Sequence, residues 1–353
     1  MKYSIIVPVY NRPDEVDELL QSLTEQELKD FEVVIVEDGS QKPCKDVCDK
    51  FADILDLHYY AKENGGPGQA RNYGAERAHG EWLIILDSDV VLPKGYLKAV
   101  EDGLRGERRE ERGEFAAFGG PDASHPSFTP VQKAISYSMT SFFTTGGIRG
   151  GKKKLDKFYP RSFNMGIRRD VYQQLGGFSK MRFGEDIDFS YRIVEAGYNP
   201  QLIPDAWVWH KRRTDFRKFF RQVYNSGIAR INLEKRHPGT LKLVHLLPMV
   251  FTVGVIALIL IAAVARAMIH YDAANWHTWY WICLLALSPI LFYSLIIFID
   301  SSIKNKSMKV GLLSVPAAFV QLMGYGFGFI ESWWKRCVMK KDEFQAFEKN
   351  FYK

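Results

Sequence analysis

The sequence predicts an α/β domain, a mostly parallel sheet flanked by helices, followed by transmembrane helices at the C-terminal side. Two patterns carry that expectation. Short apolar, β-rich runs alternate with helical segments through the first half of the chain, and three long stretches without a charged residue follow residue 241. A third pattern, acidic residues placed directly after apolar runs, says where chemistry belongs.

Residues 4–9 are the first β-rich run, and 14–28 show helical periodicity after Pro13. A second strand at 31–36 precedes a helix at 44–51 and a third strand at 55–60. Residues 70–79 read as a helix and 82–86 as another strand. Strands separated by short helices imply a parallel sheet in an α/β layer. Ligands of such sheets bind outside the carboxyl ends of the strands. Residues 104–114, dense in Arg and Glu, read as an exposed helix or loop, and 115–120 as a strand. Residues 121–151, rich in Ser, Thr and Gly, read as a long irregular region of the functional or mobile kind. A helix at 186–196 and a short aromatic strand at 206–209 complete the folded part.

The 353 residues suffice for one large or two ordinary domains. Hydrophobic content of 46%, charged content of 25% and a mean hydropathy of −0.18 describe a globular protein, but the average hides a division near residue 241. Residues 243–265, 273–299 and 310–330 contain no Asp, Glu, Lys or Arg. Each is long enough to cross a ~30 Å hydrocarbon core, which takes roughly 20 helical residues. Trp276, Trp279, Tyr280 and Trp281 gather at the start of the second stretch as interfacial aromatics do. No signal peptide is legible at residues 1–9, so the N-terminal domain is expected in the cytoplasm.

With that domain inside, Lys304, Lys306 and Lys309 sit inside after two crossings, as the positive-inside rule asks. A third crossing takes Lys335, Arg336, Lys340 and Lys341 outside, against the rule. Pro316, Gly324, Gly326 and Gly328 also suit a re-entrant or tightly packed segment. Length favours three full crossings.

The net charge of +6 is concentrated: residues 211–236 hold nine Lys or Arg against Asp215 and Glu234. Phe216, Phe219, Phe220 and Val223 recur there at helical spacing. This reads as an amphipathic helix on an anionic leaflet, the alternative being a basic face packed on the enzyme. Its place beside a membrane stretch weighs against nucleic acid. Cys44, Cys48, Cys283 and Cys337 form neither a ligand spacing nor a disulfide framework, which fits a reducing compartment.

Asp87-Ser88-Asp89 follows the 82–86 run directly. Two carboxylates one residue apart at a strand end can both approach a hard divalent cation, although Asp-x-Asp alone also describes a polar turn. Glu37-Asp38-Gly39-Ser40 follows the second strand in the same way and can accept hydrogen bonds from a base or ribose. The glycine-rich loop 64–72 enters a helix, where Arg71 can pair with a phosphate. It matches neither the Walker pattern nor the dinucleotide-binding fingerprint. Gly184-Glu185-Asp186 opens a helix; a carboxylate there stabilises the helix dipole or serves as a general base. His210 ends the aromatic strand, where a lone His is either structural or a ligand beside the carboxylate pair.

Together these elements resemble glycosyltransferase family 2, the inverting enzymes with the GT-A fold. The family opening looks like Ile6-Val7-Pro8-Val9-Tyr10-Asn11-Arg12, and its next element is similar to Val36-Glu37-Asp38-Gly39-Ser40. The loop with Arg71, the Asp87-Ser88-Asp89 motif, Phe163-Asn164-Met165-Gly166, Gly176-Gly177-Phe178 and Glu185-Asp186 follow in the family order.

The resemblance implies that Pro8, Tyr10, Asp38 and Arg71 hold the nucleotide, with Arg12, Glu37 and Ser88 as further contacts. It implies a Mn²⁺ or Mg²⁺ ion on Asp89, with Asp87 on the metal or ribose and His210 completing the set. Asp186 is implied as catalytic base, supported by Glu185, with Phe163 and Asn164 lining the sugar site. Residues 1–236 are then a cytoplasmic transferase domain: nucleotide half 1–114, acceptor half 115–210, interfacial segment 211–236. A membrane region 241–330 and a basic tail 331–353 complete the chain.

Two departures stand out. Glu37-Asp38 replaces the usual Asp-Asp, and residues 221–227 lack the Arg-Trp pair that stacks under the acceptor in processive polymer synthases. The expectation is therefore a multi-pass inner-membrane enzyme that transfers single sugars from a nucleotide-diphosphate donor to a lipid-linked or envelope glycan. The alternatives are a processive polysaccharide synthase and an inactive glycan-binding scaffold on the same fold.

Overall fold

The computed structural model describes residues 1–106, 114–123, 128–145, 158–211 and 214–347. Parts of the expected 104–114, 121–151, 211–236 and 331–353 segments lie outside the described residues. In chain order the first elements are β1 (Tyr3–Val9), α1 (Pro13–Thr24), β2 (Phe31–Asp38), α2 (Lys45–Asp49), β3 (Leu57–Lys62), α3 (Pro67–Ala75) and β4 (Trp82–Leu86). Next come β5 (Val90–Val91), α4 (Tyr96–Gly106), β6 (Ala117–Gly119), β7 (Asp122–Ala123), α5 (Pro130–Thr140), α6 (Phe142–Thr145), β8 (Asn164–Arg168) and α7 (Arg169–Gln174). The remainder are α8 (Glu185–Glu195), β9 (Gln201–Leu202), β10 (Val208–His210), α9 (Phe216–Arg236), α10 (Leu247–Tyr271), α11 (Trp276–Asn305), α12 (Met308–Trp333) and α13 (Glu343–Phe347).

The chain divides into two units, Met1–Pro126 with Lys154–Lys211 and Phe347–Lys353, and Ser127–Lys153 with Arg212–Ala346. The first is built on a seven-stranded sheet in the order β3-β2-β1-β4-β8-β6-β9, with a three-stranded sheet β5-β10-β7. β3, β2, β1 and β4 run parallel, while β8 is antiparallel to both β4 and β6. The reversal at β8 is what the sequence left unread. The central strands are buried on both faces, and so appear as continuous apolar runs.

Alternate residues of these strands serve opposite cores. Ile5, Val7, Val33, Ile35, Ile84 and Leu86 pack with Leu19, Leu20 and Leu23 of α1 and with Leu97 and Val100 of α4. Ile6, Val34, Val36, Leu83 and Ile85 face Ala70 of α3, Val171 of α7 and Phe189 and Ile193 of α8. Gly74 lets α3 lie close on the sheet, since a Cβ there would come within 2.7 Å of Ile6 Cγ2.

The second unit is helical. α10, α11 and α12 are long and apolar enough to cross a membrane. α12 is one continuous helix of 26 residues through Pro316. α9 packs along α12 through glycines. A Cβ on Gly227 would fall 2.2 Å from the Tyr325 carbonyl, and one on Gly328 would fall 2.0 Å from the Tyr224 carbonyl. Small residues allow helix backbones this close. Phe219 and Val223 are buried and Phe220 is partly exposed, so the apolar stripe of α9 faces neighbouring helices as well as its surroundings. In the expected irregular region 121–151, α5 is a regular helix begun by a Thr129–Gln132 capping box with Pro130 at its first turn.

Candidate active site

β1, β2 and β4 run parallel, so their carboxyl ends open on one edge of the sheet. Asp87, Ser88 and Asp89 occupy the turn between β4 and β5. β5 pairs antiparallel with β10, matching Val90 with His210, and this register sets His210 beside Asp89. His210 Nε2 lies 3.2 Å from Asp89 Oδ1, and the Lys211 amide donates to the Asp89 carbonyl at 3.0 Å. Phe163 stacks on the imidazole, ring centres 5.0 Å apart and planes 19° from parallel, which fixes the ring.

One ligand atom each from Asp87 and Asp89 of this turn and from His210 at the end of β10 lie within 4.8 Å of one another. Two carboxylates and an imidazole suit a divalent ion of the Mn²⁺ or Mg²⁺ kind, with positions left for substrate oxygens. Arg12 reaches the same carboxylate, its Nη1 donating to Asp89 Oδ2 at 2.7 Å. Asn11, at φ 55°, adopts the left-handed conformation that asparagine tolerates. Its Oδ1 accepts from the Gln41 and Lys42 amides at 2.8 and 2.9 Å, tying the end of β1 to the loop after β2.

Arg71, only 4% exposed on α3, joins the two acidic groups. Nη2 donates to Asp87 Oδ1 at 2.8 Å, Nη1 to Glu185 Oε1 at 3.2 Å, and the guanidinium lies over Phe178. Its buried Nε has no hydrogen-bond acceptor among the described residues. Glu185 and Asp186 open α8 after Gly184, whose φ of 85° makes the turn. Asp186 Oδ2 accepts from Arg161 Nε at 2.6 Å and its Oδ1 from the Ile187 amide at 2.9 Å. Burial works to raise the Asp186 carboxyl, but the Arg161 charge and hydrogen bond, with Arg71 behind them, outweigh it and hold it below the usual carboxylate range. Burial and the Asp186 charge push neighbouring Glu185 up, with Arg71 opposing. The surroundings thus shift the two adjacent carboxylates in opposite directions.

The end of β2 splits its two carboxylates between faces, as strand alternation requires. Asp38 points into the glycine-rich loop. Its Oδ1 accepts from Lys62 Nζ at 2.8 Å and the Gly65 amide at 2.9 Å, its Oδ2 from the Gly66 amide at 2.8 Å. Glu37 turns to the other side, where it accepts from Ser40 Oγ, from the Cys44 amide at 2.7 Å and from Tyr59 Oη at 3.4 Å. These bonds hold the β2–α2 loop.

Asn164, expected at the sugar site, is fully buried: Tyr96 Oη donates to its Oδ1 at 2.6 Å and its Nδ2 donates to the Ala206 carbonyl at 2.8 Å. These bonds tie β8 to α4 and to the segment before β10. Pro8 is partly buried within β1, Ser88 is buried between the two carboxylates, and Tyr10 is half exposed just past β1. The residue that sequence reasoning missed is Arg161. It stands two positions before Phe163 in an irregular segment, and no spacing announces a partner on α8.

Residues 4–176 match the model for glycosyl transferase family 2. Over 102 residues the chain is 39% identical to the poly(ribitol-phosphate) beta-N-acetylglucosaminyltransferase TarS of Staphylococcus aureus, a match spanning 28% of this chain and 18% of that relative. The chain thus spans under a fifth of the length of this relative. It is 26% identical over 240 residues to the glycosyltransferase AglE of Haloferax volcanii, covering 65% of this chain and 73% of the relative. Among solved structures the mannosyltransferase PcManGT of Pyrobaculum calidifontis, in complex with GDP-mannose and Mn²⁺, superposes with a TM-score of 0.56 at 15% identity, over 95% of this chain and 88% of that one. At that identity the likeness shows a shared fold, a GT-A-like mixed α/β sheet.

Proposed function

Because residues 4–176 are a glycosyl transferase family 2 domain, we propose that the chain transfers a sugar from a nucleoside-diphosphate donor to an acceptor hydroxyl with inversion at the anomeric carbon. The observation that carries this reading is the convergence of Asp87, Asp89 and His210 within 4.8 Å, joined through Arg71 to Glu185 at the start of α8. A cation and a pyrophosphate need that arrangement; a glycan-binding scaffold does not. The relative solved with GDP-mannose and Mn²⁺ supports a metal-dependent donor of this class.

Asp87, Asp89 and His210 would hold the ion, which when bound offsets negative charge on a departing nucleoside diphosphate. Arg71 and Arg12 offer guanidinium donors to phosphate oxygens. Asp38 shapes the Gly65–Gly66 turn against which a nucleotide lies, and Tyr10 has a free face for a base. Asp186, kept ionised by Arg161, takes the acceptor hydroxyl proton as the oxygen attacks the face opposite the phosphate. Phe163 and the His210 ring it covers form an apolar wall for a sugar.

The three long apolar helices support a membrane enzyme, and we read the acceptor as a lipid-linked or envelope glycan, with the transferase domain on the cytoplasmic face of the inner membrane. The absence of an Arg-Trp pair in residues 221–227 supports single transfers over processive synthesis. A screen of nucleotide sugars for Mn²⁺-dependent hydrolysis by the purified chain tests the activity. No metal-dependent turnover of any donor would leave only the scaffold reading. Product-length analysis separates single transfer from polymerisation.

A further inference from the structure

α5 and α6 stand in the part of the chain that reads as soluble, yet they group with the C-terminal helices. Residues 134–148 contain no Asp, Glu, Lys or Arg. That run is too short to cross a hydrocarbon core, which takes roughly 20 helical residues.

Two contacts give its position along α11. Tyr137 Oη donates to Asp300 Oδ2 at 2.6 Å, and Tyr293 Oη donates to the Phe143 carbonyl at 3.2 Å. Asp300 is the first charged residue after the charge-free stretch 273–299 and accepts from Lys304 Nζ at 2.9 Å, so it marks the polar end of α11. Tyr293 lies about 10 Å further in, at the helical rise per residue. The segment therefore descends from the polar end into a band where Leu291, Phe292 and Leu295 are 65%, 66% and 53% exposed. In that band Phe142 and Phe143 are also exposed, at 68% and 42%, and meet edge to face at 5.9 Å.

The polar groups agree. A hydroxyl in hydrocarbon must find its partner within the protein, because no water is there to supply one. Ser138 Oγ donates to the Ile135 carbonyl at 2.8 Å and Thr140 Oγ1 to the Ser136 carbonyl at 2.9 Å. Thr144 and Thr145 Oγ1 donate to the Ser141 carbonyl at 3.0 and 2.8 Å, and Ser141 Oγ accepts from the Phe143 amide at 3.3 Å.

We propose that the α5–α6 turn is inserted into the acyl region of the bilayer beside α11, with Phe142 and Phe143 against lipid chains. The argument for lipid as occupant is continuity: the aromatic pair extends the exposed apolar band of α11. The proposal rests on α11 crossing the membrane, part of the reading above, and its test keeps the two apart.

The full-length chain carrying Cys283→Ala and Cys337→Ser leaves only Cys44 and Cys48, which are buried and do not label. Into it go, one at a time, Phe142→Cys, Phe292→Cys and Lys306→Cys, each bearing a nitroxide. The proteins are reconstituted in phosphatidylcholine–phosphatidylglycerol vesicles, and collision rates with oxygen and with a water-soluble nickel chelate are measured by electron paramagnetic resonance. The expected oxygen-to-nickel ratio at 142 matches that at 292 and is several-fold above that at 306. A ratio at 142 like that at 306, with 292 still oxygen-rich, overturns insertion while leaving α11 in the membrane. Low collision with both reagents at 142 overturns lipid as occupant, because protein then covers the face. A nickel-accessible 292 removes the crossing of α11 and this proposal with it.

Discussion

Arg161 Nε stands 2.6 Å from Asp186 Oδ2, so the carboxylate proposed as catalytic base is held by a cation from the segment before β8. This pair keeps Asp186 ionised against its burial. Arg161→Ala should therefore raise the Asp186 pKa and move the acidic limb of the kcat/KM profile to higher pH. Arg161→Lys should restore part of the shift. Sign follows from linkage: a depressed folded-state pKa adds stability above the ordinary carboxylate range, lost as pH falls through the folded value. An unmoved acidic limb in Arg161→Ala would show that Asp186 does not govern it.

Asp186→Asn removes the proton acceptor and keeps the shape. Transfer should fall by about 10²–10⁴-fold, the usual contribution of general base catalysis, while nucleotide binding by calorimetry stays near wild type. Turnover at the wild-type rate would remove Asp186 from the role.

Asp89→Ala takes away a carboxylate shared by His210 and Arg12. Nucleotide binding should lose its dependence on Mn²⁺, measured by titration with and without the ion. A metal-dependent difference that survives the substitution would place the cation elsewhere.

Gly328→Val tests the helical unit. Its Cβ would meet the Tyr224 carbonyl of α9, a main-chain atom with no side-chain freedom to yield. Overpacking of this kind costs about 1–3 kcal/mol, which thermal unfolding of the detergent-solubilised chain would register as a lower Tm. An unchanged Tm would mean that α9 does not lie against α12 at this point.

Much of the site was legible because its residues sit where strands end. Asp87 and Asp89 directly follow an apolar run, and it is this place at a strand end that sets the pair apart from an ordinary polar turn. Glu185 and Asp186 announce themselves as the first turn of a helix. What stayed hidden depends on neighbours remote in sequence. The opposed directions of Glu37 and Asp38 follow from strand alternation, yet which of them faces the glycine-rich loop is decided by where β3 and α3 pack. Asn164 reads as a polar group near a site, whereas it is buried with Tyr96 and the Ala206 carbonyl as its partners. α5 was missed because its Ser and Thr content resembles a loop; the Thr129-Pro130-Val131-Gln132 cap was the readable signal.

Asp87 and Glu185 share one guanidinium, that of Arg71, while Asp89 is met by Arg12 and Asp186 by Arg161. An incoming divalent ion thus finds carboxylates already compensated and must displace arginines to reach them. A nucleoside diphosphate arriving with the ion gives those displaced arginines new anions to hold. Donor and cation are accordingly expected to load as one electrically balanced package, each strengthening the other, with the ion alone held weakly.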